Sequence, residues 1–194
     1  MSATLILAEC HEQGLLRNQA AYVLATAEHE TAGTFEPVKE AYWVKNADAW
    51  RKKNLRYWPW YGRGFVQLTW EENYIKAGEK LGLDLTSDPD KVMEPDISAK
   101  ILVVGMKDGW FTGKKLSDYI TLQKSGFRQA RRIVNGMDRA GDIAALAKKH
   151  DKALKAQGYG VVAPKPPTHP TAPKRSIVQI IIDMILSIIG KARP

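Results

Sequence analysis

Residues 61–74 read YGRGFVQLTWEENY. Gly62 and Gly64, with Pro59 just upstream, indicate a loop. The five residues FVQLT (65–69) then have the composition of a short strand, in which Gln67 and Thr69 share one face. ENYIKAGEKLG (72–82) reads as a helix that stops near Gly82. This stretch interrupts a pattern that is otherwise helical. The sequence therefore predicts a mainly α fold with one small β element.

Working outward, the N-terminal residues suit a first helix with Ser2 as its cap. NQAAYVLATAEHE (18–30) predicts a second helix, capped by Asn18. Val23, Ala27 and Glu30 fall on one face of it. Downstream, residues 97–106 predict a helix. FRQARRIVNG (127–136) and the run 142–158 predict two more, with Gly136 and Gly158 as stops. No internal repeat is present.

The 194 residues are 44% hydrophobic, enough for one core with an appendage. Residues 1–160 hold the predicted domain. Residues 161–175 include five prolines and predict an extended linker. Residues 176–194 predict a hydrophobic helix with basic ends, its apolar run only thirteen residues long. That is short for a bilayer of about 30 Å. Two readings fit: a helix lying in an anionic membrane interface, or one that packs back or self-associates. The net charge of +8 suits an anionic partner such as a wall polymer, a membrane surface or nucleic acid. A single Cys, Cys10, excludes an intramolecular disulfide and suits folding in a reducing compartment. The N-terminus lacks the basic lead and long apolar run of a signal peptide, so the expected site of synthesis is the cytoplasm, with release by other means.

The chemistry-bearing residues begin at His29-Glu30. A zinc protease needs a second His four residues on, and Gly33 stands there. No other spacing suggests a metal or cofactor. Glu30 and Glu40 form a carboxylate pair that could hydrolyse a glycosidic bond, one protonated to donate and one ionised to activate water. Solvated glutamates are the plainer reading. Trp58, Trp60, Tyr61, Trp70 and Tyr74 accompany Gln67, Thr69 and Asn73. Rings with amide and hydroxyl groups match a sugar, rings among arginines can stack on single-stranded nucleic acid, and rings under a glycine loop can be core. Asn135-Gly136 suits a helix end.

HET (29–31), YGRGFVQLTWEENY (61–74) and IVNG (133–136) occur in the order seen in glycoside hydrolase family 19, the chitinase-type enzymes. The chain resembles the phage endolysin branch of that family over roughly residues 15–155. The resemblance implies a two-lobed, lysozyme-like α-helical fold and inverting hydrolysis of β-1,4 bonds without metal or cofactor. It implies Glu30 as general acid and Glu40 as the match to the base. Tyr61, Gln67, Thr69, Asn73 and Asn135 match substrate-binding positions. Two departures stand out: Glu40 opens EAYW instead of an E-N-x-N-Y-like segment, and Met137 replaces a second glycine after VNG. Inversion requires carboxyl groups roughly 6.5–9.5 Å apart. A general acid at Glu30 calls for apolar surroundings, and His29 for a structural hydrogen bond. The expected substrate is peptidoglycan glycan, with chitin oligomers as the alternative. A non-catalytic wall- or membrane-binding module is the rival class, and no nucleic-acid partner is expected.

Overall fold

The computed structural model describes residues 2–160, which fall within one compact unit. The predicted linker (161–175) and basic-ended helix (176–194) lie outside the described residues. In chain order the elements are α1 (Ser2–Glu12), α2 (Arg17–Glu30), β1 (Val38–Lys39), α3 (Ala47–Asn54), β2 (Arg63–Gly64), α4 (Glu71–Leu81), α5 (Pro95–Asp108), α6 (Leu116–Tyr119) and α7 (Ala140–Ala156). Two 3-10 turns, Pro89–Met93 and Gln129–Ile133, complete them. The fold is mainly α with a small β element, as expected. Among the described residues no helix is long and apolar enough to cross a membrane.

Helix α2 is the axis of the core. Every residue from Asn18 to Ala27 is buried. A helix without a polar face is stable only when covered on all sides. Ala20, Ala21, Ala25 and Ala27 keep its surface low, and α7 packs along it through Ile143, Ala144 and Ala147. Helix α1 packs on α5, which buries Ile101, Leu102, Val103 and Met106. Each large aliphatic side chain buried in this way contributes roughly 1.5–3 kcal/mol. Gly82, with φ +67°, ends α4 where the sequence predicts a stop. Gly158, with φ +75°, follows the end of α7 in the same way.

Both predicted N-caps are displaced. Ser2 is already helical, and its hydroxyl donates to Glu36 Oε1 at 3.2 Å. Helix α2 starts one residue before Asn18, and Gln19 Oε1 accepts from Leu16 N at 3.1 Å. Asn18 Nδ2 instead donates to Thr121 O (2.8 Å) and Ser125 Oγ (2.9 Å), so tertiary bonds replace capping.

Two predicted elements change form. FVQLT is not a strand: Arg63 and Leu68 exchange backbone hydrogen bonds (3.2 and 2.9 Å), closing residues 63–68 into a loop. Gln67 sits at φ +53°, which breaks the strand alternation. Phe65, Val66 and Leu68 are still buried, so hydrophobic burial alone did not decide between strand and loop. The helix expected over 127–136 is only the 3-10 turn Gln129–Ile133. Buried Phe127, Ala130 and Ile133 recur every three residues, the period of a 3-10 turn. Gly136 consequently stops no helix.

The β element is an antiparallel ribbon in which Val38 pairs with Gly64 and Lys39 with Arg63. Asp90 clamps the second pair, accepting from Lys39 Nζ and from Arg63 Nε at 2.7 Å each. Gly64 has φ +82°, and a Cβ there would lie 2.6 Å from Ser98 Oγ. That hydroxyl accepts from Phe65 N at 2.8 Å, which seats the loop on α5.

Candidate active site

Glu30 is the last residue of α2, so the buried axis of the core delivers its carboxylate. Thr31 turns the chain away: its hydroxyl donates to Ala27 O (2.7 Å) and accepts from Phe35 N (3.0 Å). The apolar neighbours expected for Glu30 are present in the cleft it lines, but it shares them with a cation. Arg131, buried in the Gln129–Ile133 turn, donates from Nη1 to Glu30 Oε1 at 2.8 Å. The Glu30 side chain keeps 19% exposure beside it. The hydrogen bond expected from His29 is not made among the described residues. The histidine that pairs with a carboxylate nearby is His150, on Glu28.

Glu40 follows β1 directly, and the ribbon continues through it. Its N–H donates to Gly62 O at 2.7 Å, and Gly62 N–H donates back to Glu40 Oε2 at 2.9 Å. Tyr57 donates its hydroxyl to Oε1 at 2.7 Å. Arg51, buried, donates to the Glu40 carbonyl at 2.6 Å. Desolvation, together with the bond to Glu40 and its charge, pushes the Tyr57 phenol up to about 12, so it remains a donor. Gly62 makes room for three side chains: a Cβ would fall 2.7 Å from Gln67 Oε1 and 3.3 Å from both Glu40 Oε2 and Thr69 Oγ1, so those ends would have to shift. Glu40, Gln67 and Thr69 therefore converge on one bare backbone position.

Gln67, Thr69 and Asn73 are chained together. Gln67 Nε2 donates to Val38 O (2.8 Å) and Gly64 O (3.2 Å). Thr69 Oγ1 donates to Gln67 O (2.8 Å), and Asn73 Nδ2 to Thr69 O (2.7 Å). These three side chains, Glu30 and Asn135 line one cleft of about 350 Å³. Its other walls are Val66, Leu68, Trp70, Phe111 and Val134. Glu40 does not line this cleft but meets it through Gln67 and Thr69.

Tyr61 stands apart from its predicted role. It is 4% exposed and held between Arg63, 3.6 Å from its ring centroid, and Arg51 at 4.7 Å. It borders a different depression, with Trp58 and Asp90. The aromatic cluster thus divides. Tyr61 and Tyr74 are core, whereas Trp70 reaches the cleft, its ring tilted against Tyr57 and covered by Arg56 at 4.9 Å.

Three residues of the site were not anticipated. Arg131 lies in the same segment as Asn135, but one arginine in a basic run carries no distinguishing pattern. Tyr57 lies in the aromatic stretch without a mark of its contact with Glu40. Phe111 had a usable signal: GWFTG (109–113) sets two aromatics between glycines.

The class I chitinase model of glycoside hydrolase family 19 matches residues 11–112. An acidic endochitinase from Dioscorea japonica is 40% identical over 79 residues, covering 40% of this chain and 29% of its own. Endochitinase B from Zea mays is 31% identical over 127 residues, covering 62% of this chain and 41% of its own. The chain thus spans well under half the length of these relatives. Chitinase C from Streptomyces griseus HUT6037 superposes with a TM-score of 0.59 at 22% identity, over 79% of this chain and 68% of that one. At that identity the likeness is one of fold. The family match covers more than half of the chain, and the chain belongs to glycoside hydrolase family 19.

Proposed function

We propose that the chain is an endolysin that hydrolyses β-1,4 bonds of peptidoglycan glycan strands by inversion. The observation that carries this reading is the gathering of Glu30 with Gln67, Thr69, Asn73 and Asn135 around one cleft. A carboxyl group among amide and hydroxyl side chains can hold a sugar and protonate its glycosidic oxygen. In this mechanism Glu30 gives its proton to the leaving oxygen as the bond to the anomeric carbon breaks. Glu40 takes a proton from the water that attacks the opposite face of that carbon. Glu30 is left ionised beside Arg131, which balances its charge, and solvent exchange restores both carboxyl groups. Tyr57 and Gly62 aim the Glu40 carboxylate.

The net charge of +8 favours the anionic bacterial wall over neutral chitin. Release from the host cytoplasm, and contact of the basic C-terminal segment with an anionic envelope, belong to the same proposal and rest on sequence alone. Chitin is the second reading, favoured by the chitinase names of the relatives. The test is to incubate purified peptidoglycan and chitin oligomers with the protein and with Glu30→Gln. New reducing ends from peptidoglycan, identified by mass spectrometry and lost in folded Glu30→Gln, are expected. Cleavage of chitin alone selects the second reading. Binding without cleavage, or a fully active Glu30→Gln, overturns the mechanism.

A further inference from the structure

Phe111 is held in the cleft from three sides. The tip of its ring rests on α5 at Gly105, where a Cβ would lie 2.4 Å from Cζ and 2.8 Å from Cε2. The residue after it, Thr112, places its hydroxyl 2.6 Å from Arg132 O and 3.0 Å from Ile133 O. The residue before it, buried Trp110, offers its carbonyl to Lys76 of α4. Helix α4 carries Asn73, and the Gln129–Ile133 turn leads into Asn135. The backbone on either side of Phe111 is therefore tied to the two elements that bring amides to the cleft. With its tip seated on Gly105, the ring is packed into the wall it forms.

Such anchoring is more than burial requires, because Phe111 itself is only partly buried. It lines the cleft with Val66, Leu68 and Val134, opposite in character to the amide and hydroxyl groups. Trp70, the other aromatic there, is already engaged by Tyr57 and Arg56. A hexosamine presents hydroxyls that suit the polar groups, and two apolar surfaces: the C–H face of its ring, which suits an exposed aromatic such as Trp70, and the methyl of an N-acyl substituent. A rigid ring beside aliphatic side chains suits that methyl. We propose that Phe111 is a specificity-determining residue that receives the acetamido methyl of the sugar bound in this cleft. The inference rests on the glycan reading above and applies equally to peptidoglycan and chitin, which share this substituent.

The experiment compares kcat/KM on two β-1,4 glucosamine oligomers, one N-acetylated and one N-formylated, which differ only by the methyl. The wild-type protein is expected to prefer the acetylated oligomer by about tenfold or more, the usual worth of a methyl in an apolar pocket. Phe111→Ala should bring the ratio close to one, and Phe111→Leu should keep most of it. A ratio measured on one preparation does not depend on how much of it is folded. An unchanged ratio in Phe111→Ala, or no wild-type preference, overturns this inference alone. Failure of the wild-type protein to cleave any N-acetylated glycan overturns the reading of the cleft and this inference with it.

Discussion

Arg131 Nη1 stands 2.8 Å from Glu30 Oε1 and joins the end of α2 to the turn that precedes Asn135. Arg131 also reaches Asp138 O at 3.2 Å, so it braces that whole wall. Removing one partner of a largely buried pair leaves the other without compensation. Arg131→Ala is expected to lower unfolding free energy by about 3 kcal/mol. Arg131→Lys keeps the charge without the planar fork and should fall between the two. Urea unfolding of the three proteins measures this, and coincident curves would show that the pair does not hold the wall.

Tyr57 is one of two donors on the Glu40 carboxylate. Tyr57→Phe removes that bond while leaving the ring against Trp70. Hydrogen bonds to charged groups are worth about 1.5–3 kcal/mol, or roughly ten- to hundredfold in rate if the bond acts at the transition state. The expected result is a fall in kcat of that size with little change in KM. A wild-type kcat would show that Gly62 alone orients Glu40.

Gly62→Ala tests the convergence of Glu40, Gln67 and Thr69. Its φ is ordinary, so the damage comes from the Cβ placed 2.7 Å from Gln67 Oε1. Displacing a binding group by about 1 Å can cost about a hundredfold in activity. Activity is expected to drop by at least about tenfold while the thermal midpoint moves only a few degrees. Equal loss of both would place the strain in the core instead.

High pH should destabilise the protein from one identifiable side. Desolvation raises the phenols of Tyr57 and Tyr74 to about 12, and those of Tyr22 and Tyr159 upward as well. A raised phenol means that the folded state holds its proton more tightly than the unfolded one. The stability this represents is complete below the ordinary phenol value of about 10 and is lost as pH rises through the folded values. Urea midpoints are therefore expected to fall steadily above pH 10, with the phenolates of these four of the seven tyrosines appearing together with unfolding. Ionisation of all seven phenols in fully folded protein near pH 10 would contradict it.

The helices were legible where local signals and tertiary packing agree. Gly82 marked the end of α4, and the alanine-rich run marked the buried α2. The polar half of the cleft was legible too: Glu30, Gln67, Thr69, Asn73 and Asn135 do meet. What sequence could not supply was context. Burial of Phe65, Val66 and Leu68 looks the same in a strand and in a closed loop. Asn18 has the chemistry of a cap, but loop 121–125 offers it better partners. Tyr61 matches a substrate-binding position by resemblance, yet its ring lies buried between two arginines. The contacts of Arg131 with Glu30 and of Tyr57 with Glu40 join residues far apart in the chain, which no local pattern encodes.

The ribbon is only two residue pairs long, yet it decides the sign of a charge. Lys39 and Glu40 are adjacent, and neighbouring residues of an extended segment point to opposite faces. A slip of one residue would turn an ammonium toward Gly62 where a carboxylate now sits. So short a ladder has little register preference of its own. Asp90, by accepting from Lys39 and Arg63 together, holds these two opposite each other. A surface aspartate fifty residues downstream thus acts as the alignment key that keeps a carboxylate, not an ammonium, in that place.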